Sequence, residues 1–235
     1  MKFFVAFVGA WISSVAHGHA SSEDGFPMEA TPISTDIAAT RVAGNTYRGT
    51  TSEGADWVIK IERNGDLIWY RSNGSNSGHW YIDGDQFCSQ MRSGLSYCNE
   101  TRLHDETVYL KRRQNEEIVK LVPIRDATGE LKKYIGRWNI RGQLPRWSDT
   151  SISIDDASSS TWNIHRGALE IRANPCWGFV YPIVVLLSSG DELILSALGS
   201  SVVPGCADLG LGMSWADENT LRNKSSRTPV VLTRP

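Results

Sequence analysis

Past residue 20 the chain holds only three histidines, His79, His104 and His165, and no two of them stand at metal-ligand spacing. A structural zinc site would lack its ligand pairs. No Gly-x-Ser-x-Gly element marks a nucleophile elbow, and no glycine-rich loop runs into a helix to cradle phosphate. After the first twenty residues no apolar run is long enough to span a bilayer as a helix. The stretch Phe179 to Leu187 contains Pro182 and is only of strand length. The formal net charge of −2 gives no basic surface for nucleic acid or an anionic membrane.

Residues 1–20 read as a signal peptide. Lys2 supplies the charged start, and Phe3 to Ile12 is an apolar stretch too short to cross a bilayer. Small residues then offer two cleavage positions, after Ala16 or after Ala20. Either predicts maturation in an oxidising compartment, secreted or periplasmic, where four cysteines read as two disulfides. Residues 21–43 form a polar lead-in, its first part loose, with one helical turn over Thr35 to Ala43 capped by Thr35 or Asp36 and stopped by Gly44.

From Gly44 the pattern is β. Trp57, Ile59 and Ile61 alternate with Val58, Lys60 and Glu62, which predicts a sheet with one buried face. Asn64-Gly65 and Asp83-Gly84 read as hairpin turns, and Arg92-Ser93-Gly94 as a three-residue loop closed by a left-handed glycine. If Met91 faces Leu95, then Cys88 faces Cys98 across the hairpin, about 4.5–5.5 Å away and within disulfide reach. About eight short strands follow one another with no helix between them, a pattern that favours an up-and-down meander closed on itself.

The alternation breaks in residues 125–132 and then resumes, with Ile152 and Ile154, Trp162 and Ile164, Leu169 and Ile171, and Leu193 and Leu195. Cys176 and Cys206 enclose a longer excursion. The two halves share landmarks: 44 residues separate Gly44 from Cys88, and 40 separate Gly136 from Cys176. An Asp-Glu pair follows the second cysteine in each half, Asp105-Glu106 and Asp217-Glu218. The expectation is an all-β chain of two tandem small antiparallel up-and-down β-barrels, residues 44–124 and 133–235, each stapled by one disulfide because such cores are thin.

Gly136-x-Trp138 on an opening strand ahead of a strand meander resembles the calycin superfamily, which includes lipocalins and fatty-acid-binding proteins. The pieces G-N-T-Y-R-G and G-H-W-Y-I-D-G-D-Q-F-C are similar to a pattern in short secreted bacterial proteins of unassigned function. The calycin resemblance implies a barrel with a ligand cup at one end, and the Trp138 ring packed by a late arginine, Arg227 or Arg234.

Candidate binding residues are the aromatic pairs Trp69-Tyr70 and Trp80-Tyr81. Within each pair the rings point to opposite faces, one to the core and one to a stacking surface. The carboxylate pairs Asp83/Asp85, Asp105/Glu106, Glu116/Glu117 and Asp155/Asp156 fall at turns and strand ends, where turn chemistry and solvation account for them. Cleavage after Ala16 would expose His17-Gly18-His19, whose amine and imidazole nitrogens suit tetragonal copper; this start resembles copper-dependent polysaccharide monooxygenases, and cleavage after Ala20 removes it. The leading expectation is a monomeric non-enzymatic binding module for a small apolar ligand or a partner protein, needing no cofactor. The alternatives are an extracellular enzyme on a calycin-like scaffold, and a secreted inhibitor or envelope-associated structural protein.

Overall fold

The structure is a computed structural model that describes residues 24–71, 74–142, 148–158, 165–172, 179–203, 206–223 and 230–235. The leader, His17 and His19, Cys176 and Arg227 lie outside the described residues.

Seventeen strands are described. The first group is β1 (Thr31–Pro32), β2 (Thr46–Thr50), β3 (Asp56–Ile61), β4 (Asp66–Arg71), β5 (Gly74–Asp83), β6 (Gln86–Met91), β7 (Ser96–His104), β8 (Thr107–Lys111) and β9 (Ile118–Pro123). They form one antiparallel sheet in the order β1-β7-β6-β5-β4-β3-β2-β9-β8, curled so that β8 also pairs with β7. Each of β2 to β9 therefore has at least two neighbours, and β7 has a third in β1. The second group is β10 (Gly136–Gly142), β11 (Ser148–Ser158), β12 (His165–Arg172), β13 (Phe179–Ser188), β14 (Glu192–Ala197), β15 (Leu209–Asp217), β16 (Thr220–Asn223) and β17 (Val230–Thr233). It is a closed barrel in strictly sequential order, with β17 paired to β10.

The turn chemistry sets the registers. Gly65, Gly84 and Gly94 all adopt positive φ, at 90°, 62° and 87°, the backbone region that glycine enters without a Cβ penalty. The hairpin between β5 and β6 sits one residue later than the sequence suggests. Asp83 pairs with Gln86, so the two-residue loop is Gly84-Asp85 and Asp83 closes the ladder. The glycine thereby takes the first central position. At the next hairpin the Met91 amide donates to the Leu95 carbonyl (2.7 Å), and Cys88 lies opposite Cys98 with their Cα atoms 4.0 Å apart in a disulfide. A loop this short gains about 2–3 kcal/mol from the cross-link. Cys206 is disulfide-bonded as well.

Over residues 24–43 the lead-in packs against the barrel, contrary to its polar composition. Phe26 and Ile33 are buried, Thr31 and Pro32 pair with Arg102 and Leu103 of β7 beyond the end of its ladder with β6, and Ser34 caps the helical turns of residues 35–42. Ala38 and Val42 of those turns are fully buried in the first barrel's core with Leu103 and Val108. A few apolar side chains placed on an otherwise polar segment close one end of the barrel.

Both faces of β3, β4, β13 and β14 are buried, and this explains the continuous apolar run Ile183 to Leu187. Ile183, Val185, Leu193 and Leu195 point into the second barrel. Val184, Leu186, Leu187 and Ile194 pack instead on Val58, Ile68 and Tyr70, on the outer face of the first. A register shift between Val185 and Leu187 is a bulge that lets two successive leucines face the same way. Strands buried on both sides lose the alternation that marks a half-exposed sheet. Arg48 ties the seam together, bonding Asp56 of its own barrel and Glu192 of the other (2.8 Å to Glu192). The glycines of β15 permit close approach: a Cβ on Gly212 would stand 2.2 Å from the Tyr70 hydroxyl, and one on Gly210 2.7 Å from the backbone of Gly74.

The duplicated landmarks map onto the topology in part. Asp105-Glu106 and Asp217-Glu218 occupy the same turn, between the sixth and seventh strands of their barrels. The cysteines do not correspond as well: Cys98 is on the sixth strand, β7, whereas Cys206 lies in the connection between the fifth and sixth, β14 and β15.

Candidate functional site

Alternation along β3 and β4 sends Trp57 and Ile59, then Leu67, Trp69 and Arg71, to the inside of the first barrel. From β6 come Phe87, Ser89 and Met91, and from β8 and the turn beyond it Leu110 and Arg112. These side chains line a cavity of about 350 Å³. It lies towards the end where β3 and β7 begin and β4, β6 and β8 finish; the helical turns of residues 35–42 fill the opposite end. A volume near 350 Å³ is at the lower end of small-molecule sites, which run from about 300 to 1,000 Å³.

The walls are largely apolar and the polar groups gather at the mouth. Trp57 and Trp69 meet edge to face with ring centroids 5.5 Å apart, and Tyr97 lies 6.1 Å from Trp69. The Arg71 guanidinium sits over both indoles, 4.8 Å from the Trp57 ring and 5.1 Å from Trp69, and Arg112 is 5.5 Å from Trp57. The lining residues include three arginines, Arg71, Arg112 and Arg113, and no carboxylate. Burial, and then the neighbouring charge of Arg112, lower the Arg71 pKa. Arg112 is neutralised from outside the cavity by Glu117 (2.7 Å).

Glu117 is itself held well below the usual carboxylate range, at about 2, chiefly by the backbone N–H of Ser52 and then by Arg112. Its folded pKa lies below the ordinary 4.5, so its stabilising contribution is complete above 4.5 and disappears as pH falls towards 2. The expected result is that E117Q lowers the unfolding midpoint at neutral pH and that the gap to the wild type closes between pH 4.5 and pH 2. Urea unfolding across that range checks it, and a gap that stays constant with pH contradicts it.

Of the four aromatic residues singled out in the sequence, Trp69 lines this cavity. Tyr70 is buried between the barrels, where desolvation raises its pKa to about 12. Trp80 stacks on Phe87 (5.8 Å) and donates from Nε1 to the Glu62 carbonyl (2.8 Å). Tyr81 is exposed. Arg234, one of the two arginines considered for Trp138, lies 5.0 Å from the Trp138 ring centre.

The cavity arginines and Trp57 were not picked out from the sequence. One signal was present: Arg71 follows Leu67 and Trp69 on the buried parity of β4, and Arg112 follows Leu110 two residues on. A cation on the apolar face at the end of a strand marks a barrel mouth.

Several of the acidic groups at turns and strand ends, and His79, are engaged in ion pairs. Glu116 bonds Lys111, Glu106 bonds Arg125, and His79 bonds Asp66. Asp83 and Asp85 are exposed around their turn. Among the described residues no three histidine, cysteine or carboxylate side chains cluster to hold a metal, and no helix is long and apolar enough to cross a membrane.

Comparison of the chain with protein-family models, with curated proteins and with solved structures found no match. The calycin likeness stands on architecture: an eight-stranded antiparallel barrel beside a second curled sheet.

Proposed function

We propose that this chain is a secreted, non-enzymatic binding module on a calycin-like fold, and that its first barrel holds one small, largely apolar molecule. The observation that carries the reading is the cavity between Trp57, Leu67, Trp69 and Phe87, open at one end and closed at the other by the N-terminal turns. Its lining offers apolar contact and ring faces, and it presents no paired carboxylates and no nucleophile beside a base. The disulfide supports maturation in an oxidising compartment.

The test is titration with N-phenyl-1-naphthylamine, a neutral dye that brightens in apolar surroundings. One dye per chain, with energy transfer from tryptophan, is the expected outcome. No enhancement at any dye concentration would contradict a ligand-holding barrel.

A further inference from the structure

Two buried donors in the cavity wall have no acceptor. Trp57 is nine-tenths buried or more, and neither its Nε1 nor that of Trp69 has a hydrogen-bond partner. A buried unpaired N–H is destabilising by about 1–3 kcal/mol, and native structures rarely leave one without a reason. The other described indoles are satisfied: Trp80 donates to the Glu62 carbonyl, Trp138 to the Tyr134 carbonyl, and Trp215 bonds the Tyr134 side chain. The orphaned pair is confined to the cavity.

The Arg71 guanidinium bridges those same two rings. It has no hydrogen bond and no carboxylate partner among the described residues; its neighbours are the faces of Trp57 and Trp69. A guanidinium stacked on aromatic faces keeps its in-plane N–H fork available. The charge count narrows the choice of ligand. Arg112 is neutralised by Glu117 and Arg113 is exposed to solvent at the rim, which leaves Arg71 as the half-buried cation in the lining with no carboxylate in contact, Glu53 acting on it only at longer range. One such charge balances a monoanion, not a phosphate dianion.

We infer that the first barrel selects a compact, flat carboxylate: an aromatic or similarly planar acid whose body lies against Trp57, Trp69, Tyr97 and Phe87 and whose carboxylate pairs with Arg71. This deepens the binding reading above and rests on it. A carboxylate accepts two parallel bonds from an arginine fork, and the edge-to-face arrangement of the wall rings suits a planar partner. The inference assigns Arg71 a role in specificity, since a neutral body of the same shape would leave its charge unpaired.

Isothermal titration of the full chain with 2-naphthoate and with 2-naphthamide tests it, because the two share a body and differ in charge. The acid is expected to bind once per chain and at least tenfold more tightly than the amide. R71M is expected to weaken the acid at least tenfold more than it changes the amide, and R71K to recover part of the loss. Circular dichroism establishes that each variant is folded; should R71M not fold, R71K and the acid-to-amide ratio decide. Equal affinity for acid and amide, or a loss in R71M that is the same for both, overturns the anion inference and leaves the apolar cavity intact. Binding of the neutral dye with neither naphthalene binding also overturns the inference alone. Failure of all three to bind overturns the cavity reading with it.

Discussion

Replacing Trp138 with alanine is expected to destabilise the protein by about 3–5 kcal/mol, the range for removing a large aromatic from a packed core. Trp138 is fully buried. Its Nε1–H donates to the Tyr134 carbonyl oxygen (2.9 Å), and its ring lies 5.8 Å from Trp215, which stacks on Tyr134 at 5.2 Å. Arg234 covers the ring, and its Nη2 donates to the Lys133 carbonyl (2.7 Å). The indole thus joins the first strand of the second barrel to the last few residues of the chain. W138A opens a cavity and leaves the Arg234 guanidinium with only the Trp215 ring, 5.8 Å away. Small domains have only about 5–15 kcal/mol in total, so the change should be unmistakable in urea unfolding followed by circular dichroism. R234A, which removes cation–π contacts with Trp138 and Trp215 of about 0.5–1 kcal/mol each and a hydrogen bond to an exposed carbonyl, is expected to have a smaller effect. A W138A loss below 1 kcal/mol would contradict the packing described.

Filling the first cavity is expected to abolish binding without weakening the fold. Ser89 lines the cavity from β6 and is only half-buried. It sits between Trp80 and Tyr97 in the ladder and shares the cavity lining with Trp69, Leu67 and Tyr97, where a phenyl ring would project into the space. S89F therefore adds apolar contact where there is room for it, and a well-packed core would instead resist by about 1–3 kcal/mol. Affinity for N-phenyl-1-naphthylamine should fall more than tenfold, with the urea midpoint unchanged or raised. Wild-type affinity in S89F would place the dye elsewhere. A large drop in midpoint would show that the space does not exist.

These two predictions lie on opposite sides of what could be read from the chain. Trp138 and a late arginine came from a three-residue likeness, and the geometry around the ring accounts for them physically. Asn64-Gly65 and Gly94 fixed hairpins because positive φ leaves few alternatives. The Cys88–Cys98 staple followed from counting residues outward from the Met91–Leu95 turn. What escaped was tertiary. Ile33, Ala38 and Val42 are scattered through a polar segment, and no local pattern tells that they close a barrel. Ile183 to Leu187 reads as a strand, but its burial on both faces requires a second barrel to lie against it. Tyr70 illustrates the same limit: its parity is correctly outward, yet outward here means into the seam with Gly210 and Gly212. Arg71 sat in plain alternation, and its meaning depended on knowing that Trp57 is its cross-strand partner on β3.

The central claim is that the first barrel is hollow and used. A native mass spectrum of the protein purified under non-denaturing conditions, set beside a denatured spectrum of the same sample, tests it most directly. The account predicts one small organic mass carried per folded chain, lost on denaturation and absent from S89F. The same extra mass on S89F, or an unaltered chain mass that remains so after incubation with the neutral dye and with 2-naphthoate, would contradict it.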